Sequence, residues 1–516
     1  VGIAVPGKTM TADRASWAAC LLVIFAACAD STAADGDTDG DTDGDTGDGA
    51  DVRCEVTTEP TVTVYPQQPM VVDVEVELVE PTDVSLVHDT DPGVRVERTD
   101  DGSETVARFR VRGLAPEIEH ALTVVDGDGD ACGEEASVVF EAAPALDGFV
   151  GAWDVDSGPG EGDAESVLRI FDLSNVPAAG LSRVFAVDAE GTTRFYLGEA
   201  TSIVGPTAVR AGVKVRDDGT LLYLHDDAIH VVDELGDVSL RIDAEDLELP
   251  GLHHDVLELD NGNFLTLAYT FRNIEYPGQG IVHVAGDVIV ELTPEAEVVW
   301  TWNSFDHLDP LRVRDGFQLT VPDPANGEPG HDWTHANGLV VRDDEILMSM
   351  RHQDWIVAID RADGSLRWRL GPEGDFALGG GRWFFHQHSP QWQPDGSLLL
   401  YDNGVGNPDL PDQQETSRAV RFEVDTSAMT ATQVWEDDED DYVATVAGDA
   451  DRMPGGHLLV LDSSIFENMN FHGRLRELEP APDPGDPMRL WSIESPLGTF
   501  MYRAIVSERL PGEAVE

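Results

Sequence analysis

The stretch Thr334–Met350 reads THANGLVVRDDEILMSM, and Trp355–Leu370 follows it as WIVAIDRADGSLRWRL. Each half consists of two apolar runs around an acidic turn, Asp343-Asp344 in the first and Ala362-Asp363-Gly364 in the second. Short apolar runs bounded by turn residues are strands, so the whole stretch predicts four consecutive strands, the last carrying Trp368. The same order recurs. Leu252–Leu267 (LHHDVLELDNGNFLTL) precedes Val288–Trp302 (VIVELTPEAEVVWTW), and Phe385–Leu400 (FHQHSPQWQPDGSLLL) precedes Ala419–Trp435 (AVRFEVDTSAMTATQVW). Further turns sit at Asp217-Asp218-Gly219 and Gly455-Gly456. Strong helical periodicity is absent. A repeat of roughly 50 residues with four strands each is the signature of a β-propeller.

Strand sets near 150–200, 210–245, 253–302, 335–370, 388–435 and 442–493 predict six blades, and Met501–Glu508 is placed to complete the first and close the ring. Ser304–Trp333, rich in Pro, Asp and Gly, reads as an inserted loop. The tryptophans at strand ends read as packing between blades. The propeller is expected to span 148–510. Ahead of it, residues 52–145 carry short alternating segments, Thr61–Tyr65, Val71–Leu78, Thr105–Val111 and Ala121–Val125, separated by Pro, Gly and Asp. Their spacing predicts a small immunoglobulin- or fibronectin-like β-sandwich for spacing or docking. The fold class expected is therefore all-β.

The N-terminus reads as an export signal over 1–28. Lys8 and Arg14 flank Met10, and the apolar run Ala15–Ala27 is too short to span a bilayer. Ala26-Ala27-Cys28 resembles a lipoprotein cleavage box, which predicts a lipidated Cys28 as the only membrane attachment; the alternative is ordinary cleavage nearby. Residues 29–51 form an acidic linker whose core, DGDTDGDTDGDTGDGAD at 35–51, has no side chain to bury and reads as a disordered tether. Its DxDxDG spacing resembles a calcium loop but lacks the closing glutamate of an EF-hand. These features place the chain at the cell envelope, on the periplasmic or extracellular face. Of the four cysteines, Cys20 and Cys28 belong to the signal, leaving Cys54 and Cys132 to pair in an oxidising compartment.

Lys and Arg number 32 against 99 Asp and Glu, a formal charge of −67 over 516 residues. No basic stripe appears, which argues against nucleic-acid binding. Such acidity suits a saline medium, where salt screens self-repulsion.

Against that background the histidines stand out. His253 and His254, His335, and His386 and His388 each open a repeat. A structural core gives no reason for histidine three times in matching register, whereas a ring of repeats points such positions at one axis. Arg351 follows an apolar strand in the repeat of His335, and Asn337 lies two residues after that histidine. Imidazoles, an amide and a guanidinium suit a small oxygen-rich anion such as sulfate or phosphate. A histidine cluster also suits zinc, but a guanidinium beside a bound cation is unfavourable, so neither metal nor cofactor is expected. His283, His307, His331, His352, His457 and His472 read as surface or structural residues.

His253-His254-Asp255, Thr334-His335-Ala336-Asn337, Ser349-Met350-Arg351, Gln387-His388, Asp402-Asn403-Gly404, the Trp355–Gly371 run and Tyr502-Arg503-Ala504 together resemble the bacterial arylsulfotransferase (aryl-sulfate sulfotransferase) family, over most of 148–510. The combination is specific; any one motif alone is weak. The resemblance implies a periplasmic six-bladed propeller with an N-terminal β-domain. It implies transfer of a sulfuryl group from an aryl sulfate to a phenol through a sulfated histidine, without a nucleotide donor. Carried onto this chain, it makes His388 the nucleophile and His335 and Arg351 the ligands of the sulfuryl oxygens, with Asn337 nearby. His254 or His253 becomes the acid and base on the phenolic oxygen; His254 aligns better with His388 by distance to the turn, His253 better with His335. The chain departs from the family in having no cysteine in the propeller, in the extra His386 beside the nucleophile, and in an acidic surface that repels an anionic donor at low ionic strength.

Two other classes compete. One is a non-catalytic envelope propeller that binds a ligand or partner; His335, Asn337, Arg351 and His388 together weigh against it. The other is a metal-dependent hydrolase or lactonase, which needs carboxylates in the channel, and Asp255 is the obvious one inside the motifs.

Overall fold

A computed structural model describes residues 54–515 apart from 66, 89–90, 92, 117, 143–152, 158–166, 176–180, 201–209, 315–318, 411–415, 438–441, 468–469 and 481–487. The export signal, Cys28 and the acidic linker lie outside the described residues. The fold is nearly all β.

Thr334–Leu370 forms the four strands Ala336–Arg342, Glu345–Met350, Trp355–Asp360 and Leu366–Leu370, joined as an antiparallel meander. Glu345–Met350 is buried at every position, so its near-continuous apolar run reflects packing on both faces. Leu366–Leu370, at the outer edge, alternates instead: Trp368 and Leu370 face the core while Arg367 and Arg369 stay out.

Four more meanders are built the same way. They start at Ala211–Val215, Leu252–Glu258, His388–Trp392 and Asp449–Arg452. A sixth sheet joins the C-terminal Ala504–Ser507 to Leu168–Asn175, Leu181–Val187 and Thr193–Ala200. The first strand of each sheet packs on that of the next, and Asp449–Arg452 packs on Ala504–Ser507, which in turn meets Ala211–Val215. Among the described residues, these first strands therefore follow one another in a closed cycle of contacts.

The expectation for the C-terminal segment holds at Ala504–Ser507. The set near 150–200 is divided, however. Asp154–Ser157 pairs with Met488–Glu494 at the outer edge of the preceding sheet. An early strand thus covers an outer edge while a late strand completes an inner one where the ring joins.

Ser304–Trp333 is more regular than a loop. Asn303 caps a short helix, Ser304–His307. Thr320–Pro322 pairs with Pro329–Asp332, which runs parallel to the long strand Gly280–Leu292 at Val284 and Ala285. The segment thereby delivers Asp332 to the start of the next sheet.

The N-terminal strands form two sheets. Thr61–Tyr65, Gln68–Glu77, Val106–Arg112 and Arg95–Arg98 make one; Ser85–His88, Glu119–Val125 and Ser137–Glu141 make the other. They share a core of Val72, Val74, Phe109, Val111, Leu122 and Val124, and Cys54 and Cys132 are joined in a disulfide within it. Glu234 of the second meander accepts from Arg110 at 2.9 Å and from Arg112 at 3.1 Å, and its carbonyl accepts from Gln68 at 2.9 Å. Arg53–Glu516 accordingly forms one compact unit. Among the described residues, no helix is long and apolar enough to cross a membrane.

Candidate active site

The histidines converge, though not from equivalent positions. His253 pairs with Leu267, Ala336 with Met350 and His388 with Tyr401 at the head of their sheets. His254 therefore sits one residue after its paired position, His335 one before, and His388 on it. Each first strand then slips register, between His253 and Val256, Ala336 and Gly338, and His388 and Gln391. His254 (φ 64°), His335 (φ 49°) and Ser389 (φ 49°) take left-handed backbone conformations there. Such residues cost about 1–3 kcal/mol each and persist where surrounding structure over-determines them. The matching register read in the sequence is thus approximate, and these bulges re-aim the side chains.

His388 is buried, and its Nδ1 lies 2.6 Å from Asn403 Oδ1 and 3.1 Å from the His386 carbonyl. Asn403 Nδ2 donates to the carbonyls of Ala444 (2.6 Å) and Ala447 (2.8 Å), which decides the orientation of the amide. Both partners of Nδ1 are acceptors, so Nδ1 carries the proton and Nε2 keeps a lone pair. Asp402, paired with Arg418 at 2.9 Å, accepts from Phe385 N (2.8 Å) and Gly404 N (2.9 Å), tying the approach to His388 to the turn that bears Asn403. Gly404 has φ 68°, and a Cβ there would lie 2.0 Å from the Thr416 carbonyl, so this turn requires glycine.

His254 and His253 occupy two layers. The His254 ring stands edge-on to His335 at 4.7 Å and is 5.9 Å from Tyr502. His253 lies behind it, Nδ1 to Nδ1 at 2.7 Å, stacked on Tyr269 at 4.0 Å, with Nε2 at 3.2 Å from Asp287 Oδ1. Asp287, His253 and His254 thus stand in a row. His335 has its own carboxylate: Nδ1 lies 2.5 Å from Asp332 Oδ2. His352 is not a surface residue. It is buried, its ring 4.6 Å from that of His335, with Nδ1 donating to the Asp332 carbonyl at 2.9 Å.

Backbone bonds from Arg351 N to His335 O (3.0 Å) and from His352 N to Thr334 O (3.1 Å) bring the turn Arg351–Gln353 against the histidine strand. Arg351 is buried, with Nη2 donating to Thr445 O at 3.2 Å. Asn337 Nδ2 donates to Gln387 O at 2.8 Å, and its carbonyl accepts from Arg503 Nη2 at 2.6 Å. His386 Nδ1 is engaged by Val405 O at 2.9 Å, beside the nucleophile candidate.

Burial is the main force on the charges here. It pushes His254, His335 and His388 well below the usual histidine range. The histidine neighbours act further on His254, His352 and Arg351 on His335, and Arg351 on His388. Burial also raises Asp332 to about 6. The cluster is thus a set of neutral imidazoles beside a fixed guanidinium, suited to nucleophilic and proton-transfer chemistry on an anion.

Sequence reasoning missed Asp287, Asp332, His352 and the role of Asn403. Asn403 lay inside a quoted motif, but the carboxylates come from a third strand and from the insertion, where no local pattern marks them. Asp255, the carboxylate singled out for a metal, turns away: it pairs with Arg503 at 2.9 Å and accepts from Leu339 N at 3.0 Å. A cavity of about 1040 Å³ is not at the histidines. It is lined by the later parts of the first strands, including Lys214, Asp451, Arg452 and Arg509, and so lies toward the opposite end of the ring.

The model of the arylsulfotransferase (ASST) family matches residues 160–483, and the chain belongs to that family. Membership supports aryl sulfotransferase activity in general, with aryl sulfates and phenols as the substrate classes. No curated protein matches the chain. Similar solved structures include the β-propeller domain of Myceliophteria thermophila Cps50 (Swd1), 10% identical with TM-score 0.34, covering 64% of this chain and 87% of that one. Kluyvelomyces marxianus Hsv2 is 9% identical with TM-score 0.31, covering 68% and 99%. An ACO/RPE65 chimera is 11% identical with TM-score 0.30, covering 66% and 92%.

Proposed function

We propose that this chain moves a sulfuryl group from an aryl sulfate to a phenol through a sulfated His388, without a nucleotide donor. The observation that carries the reading is the hydrogen bonding of His388: Nδ1 meets only acceptors, so Nε2 holds the nucleophilic lone pair. In the first half-reaction Nε2 attacks sulfur, the sulfur–oxygen bond to the aryl group breaks, and the aryloxide leaves with the electron pair. The sulfated imidazolium keeps its Nδ1 proton on Asn403. In the second half the phenol oxygen attacks sulfur, the nitrogen–sulfur bond breaks, and His388 returns to neutral. Arg351 binds the sulfuryl oxygens, joined by His335 through Nε2–H while the His335–Asp332 pair holds a second proton, with Asn337 alongside; such in-line transfers depend on positioning and charge stabilisation. His254 serves the phenolic oxygen, and His253 with Asp287 supplies and recovers its proton.

The architecture that supports this reading is a six-bladed propeller over 148–510 behind an immunoglobulin-like sandwich at 52–145. The closed ring of six first strands and the separate N-terminal core favour it. We assign the protein to the cell envelope, held by a lipidated Cys28; the Cys54–Cys132 bond suits that oxidising side.

The test is incubation with a chromogenic aryl sulfate alone. A sulfate-sized mass should appear on the peptide containing His388 and be lost on adding phenol, and His388→Ala should carry out neither half-reaction. An adduct on another histidine, or transfer that survives in His388→Ala, would overturn the assignment.

A further inference from the structure

We propose that Asp332, His335 and His352 form a latent site for a zinc-like divalent transition metal, and that its occupation switches off sulfuryl transfer. The regulatory part rests on the sulfotransferase reading of this same site. One ligand atom from each residue lies within 4.8 Å of the other two, and among the described residues these three are the one group of His, Cys, Asp and Glu gathered so closely. Two imidazoles and one carboxylate with a fourth position open make a tetrahedral zinc donor set. Calcium and magnesium need more oxygen ligands.

The donors are held in advance. Asp332 and His335 already face each other at 2.5 Å, and the rings of His335 and His352 are 4.6 Å apart. The bond from His352 Nδ1 to the Asp332 carbonyl is the kind that orients a metal-binding histidine through its other nitrogen. Charge favours a cation as well. The guanidinium of Arg351 bears on His335, but two buried carboxylates, Asp287 and Asp332, lie close enough to act on one another. Binding would release the proton shared by His335 and Asp332 and put the metal in its place. His335 is then committed to the metal, and the open position attracts a sulfuryl oxygen away from the line to His388 Nε2. Arg351 alone disfavours a cation, and these two carboxylates offset it.

The test uses the chelator-treated full chain, with millimolar calcium occupying surface carboxylates, titrated with Co²⁺. Wild type should bind one Co²⁺ with the intense visible absorption of a tetrahedral site, and Zn²⁺ should displace it. Zn²⁺ alone should inhibit transfer in proportion to its occupancy of that site, and chelator should restore it. His352→Gln and, separately, Asp332→Asn should weaken Co²⁺ binding about 100-fold or more, at least what the loss of a residue merely supporting a metal ligand costs. Each variant is compared with wild type by thermal melting. No tetrahedral spectrum in wild type, or an unchanged one in both folded variants, would overturn the site while leaving the sulfotransferase reading intact. A chelated enzyme that is inactive until metal is added would instead overturn the metal-free mechanism and the inhibitory role together.

Discussion

Asn403 Oδ1 lies 2.6 Å from His388 Nδ1, and the amide that presents it is pinned by two carbonyls, Ala444 and Ala447, from the chain entering the next sheet. The tautomer of His388 is therefore decided by the junction between two sheets. Asn403→Ala removes the acceptor. It should lower kcat by about 10²–10⁴, the scale of losing a histidine's correct tautomer in a hydrolytic triad. Single-turnover mixing with an aryl sulfate checks this: sulfation of His388 should slow while donor binding persists.

Arg351→Ala should leave the fold intact and slow transfer by about 10²–10³, as for one lost transition-state charge stabiliser. Its Nη2 bond to the Thr445 carbonyl shows the guanidinium held in place before substrate arrives. Steady-state kinetics should show the loss in kcat, with thermal melting unchanged.

His254 and His253 should separate by leaving group. His254→Ala should cost most with donors whose phenol is a poor leaving group and least with nitrophenyl donors. His253→Gln should show the same trend more weakly, because it acts on the phenolic oxygen only through His254. A series of aryl sulfates of graded phenol acidity reads both slopes.

The pH dependence follows from the lowered histidines. As the proposed nucleophile, His388 must be unprotonated, and its protonation falls well below the usual histidine range, so the acid limb of kcat/KM should lie below about 6.5. Arg351→Met should move that limb upward, since the guanidinium helps to depress it. Stability takes the matching sign. The unfolded chain binds protons at His254, His335 and His388 first, so the fold keeps their full contribution above about 6.5 and loses up to about 1.4 kcal/mol per pH unit and group below it. Asp332, raised by burial to about 6, takes up its proton first in the fold and offsets part of that loss, so denaturant midpoints between pH 7 and 5 measure the net slope.

Reduction of Cys54–Cys132 should destabilise the N-terminal sheets by about 4–5 kcal/mol in the chain-entropy model, given a sequence separation of 78 residues. Sulfuryl transfer should survive, because the histidines lie in cysteine-free sheets. Parallel melts and assays with and without reductant decide it; loss of transfer without unfolding would contradict the separation.

The strand order was legible in the sequence because each meander repeats one local pattern, apolar run, acidic turn, apolar run, and burial on both faces requires that pattern. The same repeat announced that histidines would meet, and the motifs named His388, His335, Arg351 and Asn337. Tertiary structure alone decided how they work. His253 and His254 are neighbours in sequence with equal claims, and the register slip after His253 sends one toward His335 and the other back onto Asp287. Asp332 comes from an insertion, Asp287 from a third strand and Asn403 from the far side of a turn. Proton positions depend on such partners, which are remote in sequence and adjacent in space. Periodicity encodes which residues share a face, but the tautomer and basicity of a buried imidazole are set by what the closed ring packs against it.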